Sequence, residues 1–184
     1  MECSGTPYCQ PRCPRYFDRT GTPILIQPPA SSDWEPLAGM YETIESSTMG
    51  LPPVTRRQLV DWLDTLRERG WNLIAREGEQ IVGHVSVSPA EEVTPEFVLF
   101  VHDDYQGRGI GTELVKQVIA YATTKEHEEL RLTVSSRNRK AISVYTNVGF
   151  ETTSQGAELS MRFPLDHPNA ETVKLPPADR LPDE

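Results

Sequence analysis

Long apolar runs are missing from this chain of 184 residues, and none approaches the ~20 residues that a membrane-spanning helix needs. Lysine is scarce, confined to Lys116, Lys125, Lys140 and Lys174. With 27 acidic residues against 18 basic ones the formal net charge is -9. That excludes a nucleic-acid-binding face as the main function, because phosphate contacts need clustered Lys and Arg. It suits a cationic partner, and equally a protein kept acidic for solubility. The first twenty residues lack the apolar core of a secretory leader, so a cytoplasmic location is expected, with no membrane partner.

Cysteine is sparse and confined to the start: Cys3, Cys9 and Cys13. An odd number excludes a complete set of internal disulfides. A zinc ion held by the three would need a fourth ligand from His84, His102, His127 or His167. The other reading is three thiols in a loose arm, with no metal and no nucleophile.

What is present reads as one domain with two tails. Residues 1–22 form a Cys/Pro-rich arm, 23–164 the domain, and 165–184 a Pro-rich acidic tail expected to be an extended strap or disordered. Pro23 to Gln27 is a short β-branched run, hence a first strand. Ser32-Asp33-Trp34-Glu35 and Thr55 with Gln58 are capping-box patterns, each opening an apolar helical stripe. Trp71 to Ala75 and Gln80 to Ser88 read as a hairpin. Phe97 to Val101 is a continuous apolar run, expected as a strand covered on both faces. A helix from about residue 110, a strand at 130–134, a helix at 139–148 and a closing strand pair follow. The order β-α-α-β-β-β-α-β-α-β-β is an α/β (α+β) class. It predicts a mixed, mostly antiparallel sheet of six to seven strands, with about four helices and one parallel strand pair.

Between the parallel strands lies Gln106-Gly107-Arg108-Gly109-Ile110-Gly111, followed by Thr112. Glycines let the backbone turn tightly and bring N–H groups up to a ligand. The helix that follows begins with unpaired N–H groups and a positive dipole end, suited to a pyrophosphate. The spacing is G-x-G-x-G, which is neither the dinucleotide fingerprint nor the Gly-Lys-Ser/Thr phosphate loop. A plain strand-to-helix turn would use the same glycines. Further on, Asn138, Ala141, Tyr145, Gly149 and Phe150 give N-x-x-A-x-x-x-Y-x-x-x-G-F, with the first three on one helix face.

The two motifs together resemble the GCN5-related N-acetyltransferase (GNAT) superfamily over about residues 23–163. The resemblance implies a GNAT-like sheet whose parallel pair forms the CoA cleft, with acetyl-CoA as cosubstrate. It implies transfer to a primary amine that attacks the thioester carbonyl directly. Gln106 to Thr112 would bind the pyrophosphate. The backbone of Leu99, Phe100 and Val101 would hold the pantetheine and polarise the carbonyl. Asn138 and Ala141 would lie along the same ligand, and Tyr145 would protonate the departing thiolate. The position where some members carry a base is Thr133 here, which cannot accept a proton. Glu96, His102 or a water chain are the candidates for that task, and Glu96 is equally a solvated residue opening its strand beside Glu91 and Glu92. The loop at 45–54 is expected to shape the acceptor pocket, and Glu91 and Glu92 to attract a cation. Because Thr133 departs from the pattern, a CoA-binding regulatory or interaction module without transfer activity is the alternative. The acceptor could be a small amine, an aminoglycoside, a polyamine, an amino acid or a protein amine. A homodimer through a sheet edge is the expected assembly.

Overall fold

The computed structural model describes residue 9 and residues 11–44 and 55–175. Eight strands lie in one sheet: β1 (Arg15–Phe17), β2 (Pro23–Gln27), β3 (Trp71–Glu77), β4 (Gln80–Ser88), β5 (Glu96–Val101), β6 (Glu129–Ser135), β7 (Glu151–Ser154) and β8 (Glu158–Pro164). Among the described residues the α-helices are α1 (Trp34–Thr43), α2 (Arg56–Arg69), α3 (Ile110–Ala122), α4 (Arg139–Val148) and α5 (Pro168–Thr172). The strand order is β1-β2-β3-β4-β5-β6-β8-β7, and only β5 and β6 run parallel. The mixed, mostly antiparallel architecture is the one the element order predicts.

The helices cover the sheet from both sides. On one side, α3 and α4 enclose Leu114, Val118, Ile119, Tyr145 and Val148 against Leu73, Val85, Val87 and Phe97. On the other, Leu37, Met40, Tyr41, Leu59 and Leu63 of α1 and α2 pack on Ile74, Ile81 and Phe100. The strand closed on both faces is β4, buried from Ile81 to Val87. This corrects the reading of Phe97 to Val101: Val98 is 38% exposed, because α1 and α2 reach Phe100 and leave its neighbour uncovered.

Capping patterns held once out of two. Thr55 accepts from the Gln58 amide at 3.3 Å while Gln58 Oε1 accepts from the Thr55 amide at 2.9 Å, so α2 starts on the expected box. At the head of α1 the Ser32 box does not form. Asp33 instead turns its carboxylate back to the Ala30 amide at 2.8 Å and to the Arg76 guanidinium of β3. A charged partner across the sheet outcompetes a local serine cap.

Both tails depart from expectation. The segment before residue 23 adds β1, an edge strand in register with β2 from Arg15↔Leu25 to Phe17↔Pro23, which is why eight strands stand where six to seven were expected. Arg12, only 4% exposed, donates to both carboxylate oxygens of Glu113 in α3, at 2.7 and 2.8 Å, and to the Val173 carbonyl at 2.5 Å. Gln117 Nε2 reaches the Cys13 carbonyl at 2.7 Å. After residue 165 the chain forms α5 with Pro168 at its first position, where proline's missing N–H costs nothing and its φ suits a helix. His167 Nδ1 accepts from the Asn169 amide at 3.1 Å as its cap.

No helix among the described residues is long and apolar enough to cross a membrane. Cys3 and the 45–54 segment lie outside the described residues, and Cys9 and Cys13 are half-buried. No group of three or more His, Cys, Asp or Glu placed to hold a metal occurs among the described residues. Each histidine has a protein partner. His84 and His102 bond within the α1 side. His127 accepts from Trp71 Nε1 at 3.1 Å and donates to the Glu92 carbonyl at 2.8 Å.

Candidate active site

β5 and β6 are joined at one end only. Their parallel register is Glu96↔Arg131, with the Arg131 amide donating to the Pro95 carbonyl at 3.0 Å. Beyond that point no further rung forms among the described residues, and a gap opens along β5 toward the glycine loop. Peptide groups alternate along a strand. Since the Pro95 carbonyl faces β6 and the His102 amide bonds Val82 of β4, those of Phe97, Leu99 and Val101 turn to the β6 side; the Phe97 amide completes the Glu96↔Arg131 rung, and Leu99 and Val101 face the gap. Phe100 was expected among the backbone donors. Its peptide turns to β4, and its ring sits 5.4 Å from Tyr41 and 6.1 Å from Trp62.

At the open end stands the loop. Gly107 (φ +75°) and Gly109 (φ +89°) adopt the left-handed backbone that side chains disfavour, and Gly109 begins α3. No side chain caps α3 at this end, so its first amides point outward unclaimed by a cap. A Cβ on Gly111 would meet Val101 and Leu99 at ordinary contact distances of 3.8 and 3.9 Å. Its value is the clearance it leaves beside the gap. Ile110 is buried in the core, Thr112 is half-buried, and Gln106 Nε2 donates to the Val101 carbonyl at 3.3 Å. Arg108 is committed elsewhere. Its Nε donates to Asp18 at 2.5 Å, its terminal nitrogen pairs with Glu77, and its guanidinium lies 4.9 Å over the Tyr105 ring.

At the joined end stands Tyr145 of α4, 7% exposed, its ring 5.9 Å from Phe97 and 5.7 Å from Phe150. Burial pushes its phenol up to about 12. Asn138 begins α4 and accepts from the Ala141 amide at 3.1 Å, so half of its amide serves as a helix cap. Ala141 is half-buried on the same helix.

Glu96 is exposed, one residue from Phe97, and alternation turns it to the sheet face opposite Tyr145. Its pairing places it across from Ser88 of β4. His102 is held at the other end of β5. Its Nε2 donates to Thr43 Oγ1 at 3.1 Å and its Nδ1 accepts from the Asp104 amide at 3.3 Å. Between these groups, Tyr41 donates to His84 Nδ1 at 2.7 Å and His84 Nε2 donates to Asn72 at 3.0 Å, a tautomer assigned from the network. Burial drives the His84 imidazole down to about 3, so it stays neutral. Sequence reading missed this network because its members are 12 and 43 residues apart.

Known proteins share this fold. Residues 37–150 match the model of the Acetyltransferase (GNAT) family, more than half of the chain. N-acetyltransferase 8B of Rattus norvegicus is 31% identical over 97 residues, 49% of this chain and 44% of that protein. The chain spans less than half the length of this and another curated relative, an uncharacterized N-acetyltransferase of Methanocaldococcus jannaschii of which it covers 26%. The GNAT domain of S. lividans PAT superimposes with a TM-score of 0.71 at 19% identity, covering 82% of this chain and 95% of that one. The protein yncA from Salmonella typhimurium, solved with its cofactor acetyl-CoA, gives 0.64 at 18% identity over 78% and 95%. At those identities the two structures attest the fold. The matching family model settles membership: this chain belongs to the acetyltransferase (GNAT) family.

Proposed function

We propose that the protein is an N-acetyltransferase that takes acetyl-CoA into the gap between β5 and β6 and transfers the acetyl group to a primary amine by direct attack. One observation carries this reading. A strand edge with unpaired peptide groups runs from an uncapped helix start with left-handed glycines to a buried tyrosine. An elongated ligand with phosphate at one end and a reactive carbonyl at the other fits those parts.

Each group then has a task. The amides at the start of α3 and the Gly107–Gly109 turn hold the pyrophosphate. Peptide groups of Leu99 and Val101 bond an extended amide chain as a missing strand would, and one of their amides polarises the carbonyl whose oxygen gains charge. Asn138 has its amide nitrogen left to donate along the same ligand, beside Ala141. Tyr145 keeps its proton through the physiological range because its pKa is raised to about 12, and that proton serves the departing sulfur. Glu96, on the opposite face beside the exposed Val98, is positioned to accept a proton from the incoming amine, directly or through water. The net charge of -9 is compatible with a cationic acceptor, as it is with acidity kept for solubility. A cytoplasmic site of action and a homodimer belong to the same reading, supported by composition and family habit.

The test is thiol release from acetyl-CoA against a panel of amines and peptides. Acetyl-CoA raises the melting temperature, and at least one amine releases thiol in proportion to acetylated product. Stabilisation by acetyl-CoA without thiol release across a broad panel would identify a CoA-binding module without transfer activity.

A further inference from the structure

The loop that faces the cosubstrate has lost the use of its own cation. Arg108 is the only Lys or Arg between Gln106 and Thr112, and it is held by two carboxylates, Asp18 and Glu77. The cluster is therefore two negative charges against one positive, set beside the place where a pyrophosphate must sit. Glu113, in the first turn of α3, adds another carboxylate there, answered by Arg12. A fold that presents an uncapped helix start to an anion while ringing it with acids needs a further cation.

The turn after β1 supplies one. The Asp18 amide donates to the Thr22 carbonyl at 3.0 Å, and the Asp18 carboxylate accepts from the Thr20 and Thr22 amides at 2.9 Å each. That turn is fastened to the loop twice: Asp18 takes the Arg108 guanidinium, and the Arg19 amide donates to the Arg108 carbonyl at 3.1 Å. Arg19 is carried by this fastening over the glycine that starts α3. Its Cγ and Nε each lie 3.8 Å from where a Cβ of Gly109 would stand. Its residue is exposed, in contrast to the buried Asp18 beside it.

We infer that Arg19 is a cosubstrate-binding residue, its guanidinium bonding the pyrophosphate of CoA at the start of α3 in place of the sequestered Arg108. The inference rests on the reading of the gap as the acetyl-CoA site. It gives the β1 segment, which lies outside residues 37–150 of the family match, a part in ligand binding. A guanidinium bonds two phosphate oxygens at once, and a planar fork resting across a residue without a side chain can approach them closely.

The experiment titrates the wild type, Arg19→Gln, Arg19→Lys and Arg15→Gln with acetyl-CoA and with acetyl-pantetheine, which lacks the pyrophosphate, at several salt concentrations. Arg19→Gln weakens acetyl-CoA binding about tenfold, the size of one charged hydrogen-bonding contact. It also flattens the dependence of Kd on salt and leaves acetyl-pantetheine binding unchanged. Arg19→Lys recovers part of the loss, and Arg15→Gln, an exposed arginine of the same segment, matches the wild type. Wild-type affinity in Arg19→Gln overturns the inference, as does an equal loss for both ligands, which would mark a structural role. A wild type that binds no acetyl-CoA would instead sink the reading of the gap, and this inference with it.

Discussion

The rings of Tyr145 and Phe97 meet edge to face, 5.9 Å apart with planes at 79°. The contact fixes the phenol against the residue where β5 leaves β6. Tyr145→Phe keeps the ring packing and removes only the proton. Turnover should fall about 100-fold while the Kd for acetyl-CoA stays within about twofold. Stopped-time thiol release and calorimetry separate the two. Unchanged turnover would exclude the phenol as the acid.

The pH profile follows from the same burial. The pKa of Tyr145 is raised to about 12 in the folded protein against an ordinary value of 10.0, so the group binds its proton more tightly when folded. Its contribution to stability is complete below pH 10 and is lost as pH rises through 12. Turnover measured from pH 8 to pH 10 should therefore show no decline assignable to this tyrosine. A rate that halves near pH 10 would contradict a buried, protonated phenol.

Glu96→Gln separates a direct base from a water chain. If the carboxylate takes the amine proton, kcat/KM falls at neutral pH and recovers as rising pH deprotonates the amine in solution. An unaltered profile would leave the task to water and return Glu96 to the status of a solvated strand end.

How much of this could be read from residues alone depends on the distance over which each feature is encoded. The loop at 106–111 and the face Asn138–Ala141–Tyr145 are local, and spacing of three to five residues was enough to find them. The Thr55 box was legible for the same reason. Features held by distant partners were not. Arg12 and Glu113 are 101 residues apart, and nothing in either neighbourhood announces the other. β1 has three residues and no apolar alternation, so β2 and not its own pattern makes it a strand. α5 had a signal that went unused, His167 as cap followed by Pro168 at the first helical position. Phe100 turns its peptide to β4 because peptide direction follows from pairing, which composition does not reveal.

Removing Arg12 should be costly. Arg12→Ala leaves Glu113 charged and buried, a loss of about 3–5 kcal/mol. For a domain of this size that lowers Tm by roughly 6–20 °C. The double variant Arg12→Met with Glu113→Leu, which removes both charges and keeps volume, should recover most of the loss in the same melting experiment. A single variant as stable as the wild type would show that the pair is dispensable.

The network under α1 and α2 answers to acid. His84 has a folded pKa of about 3 against an ordinary 6.5, so the unfolded chain takes up a proton there that the folded one refuses. Its contribution is whole above pH 6.5 and declines as pH falls toward 3. Tyr41→Phe deprives Nδ1 of its donor and should cost about 1–3 kcal/mol while sparing acetyl-CoA affinity. Equal melting curves for the variant and the wild type between pH 5 and pH 7 would refute the assigned hydrogen bond.

Arg12 touches α3 with one edge of its guanidinium and the carbonyl of Val173, just past α5, with another. Three stretches of chain that sequence order sets far apart thus share a single knot beneath the helix whose start faces the cosubstrate. A fragment trimmed to residues 37–150 would carry both recognition motifs and still be untied. It would lack β1, β2, β7 and β8, and its α3 would hold a carboxylate with no counter-ion. The portable unit of this protein is therefore wider than its recognisable signature, and domain grafts or split reporters designed on it need their cuts outside Arg12 and Val173.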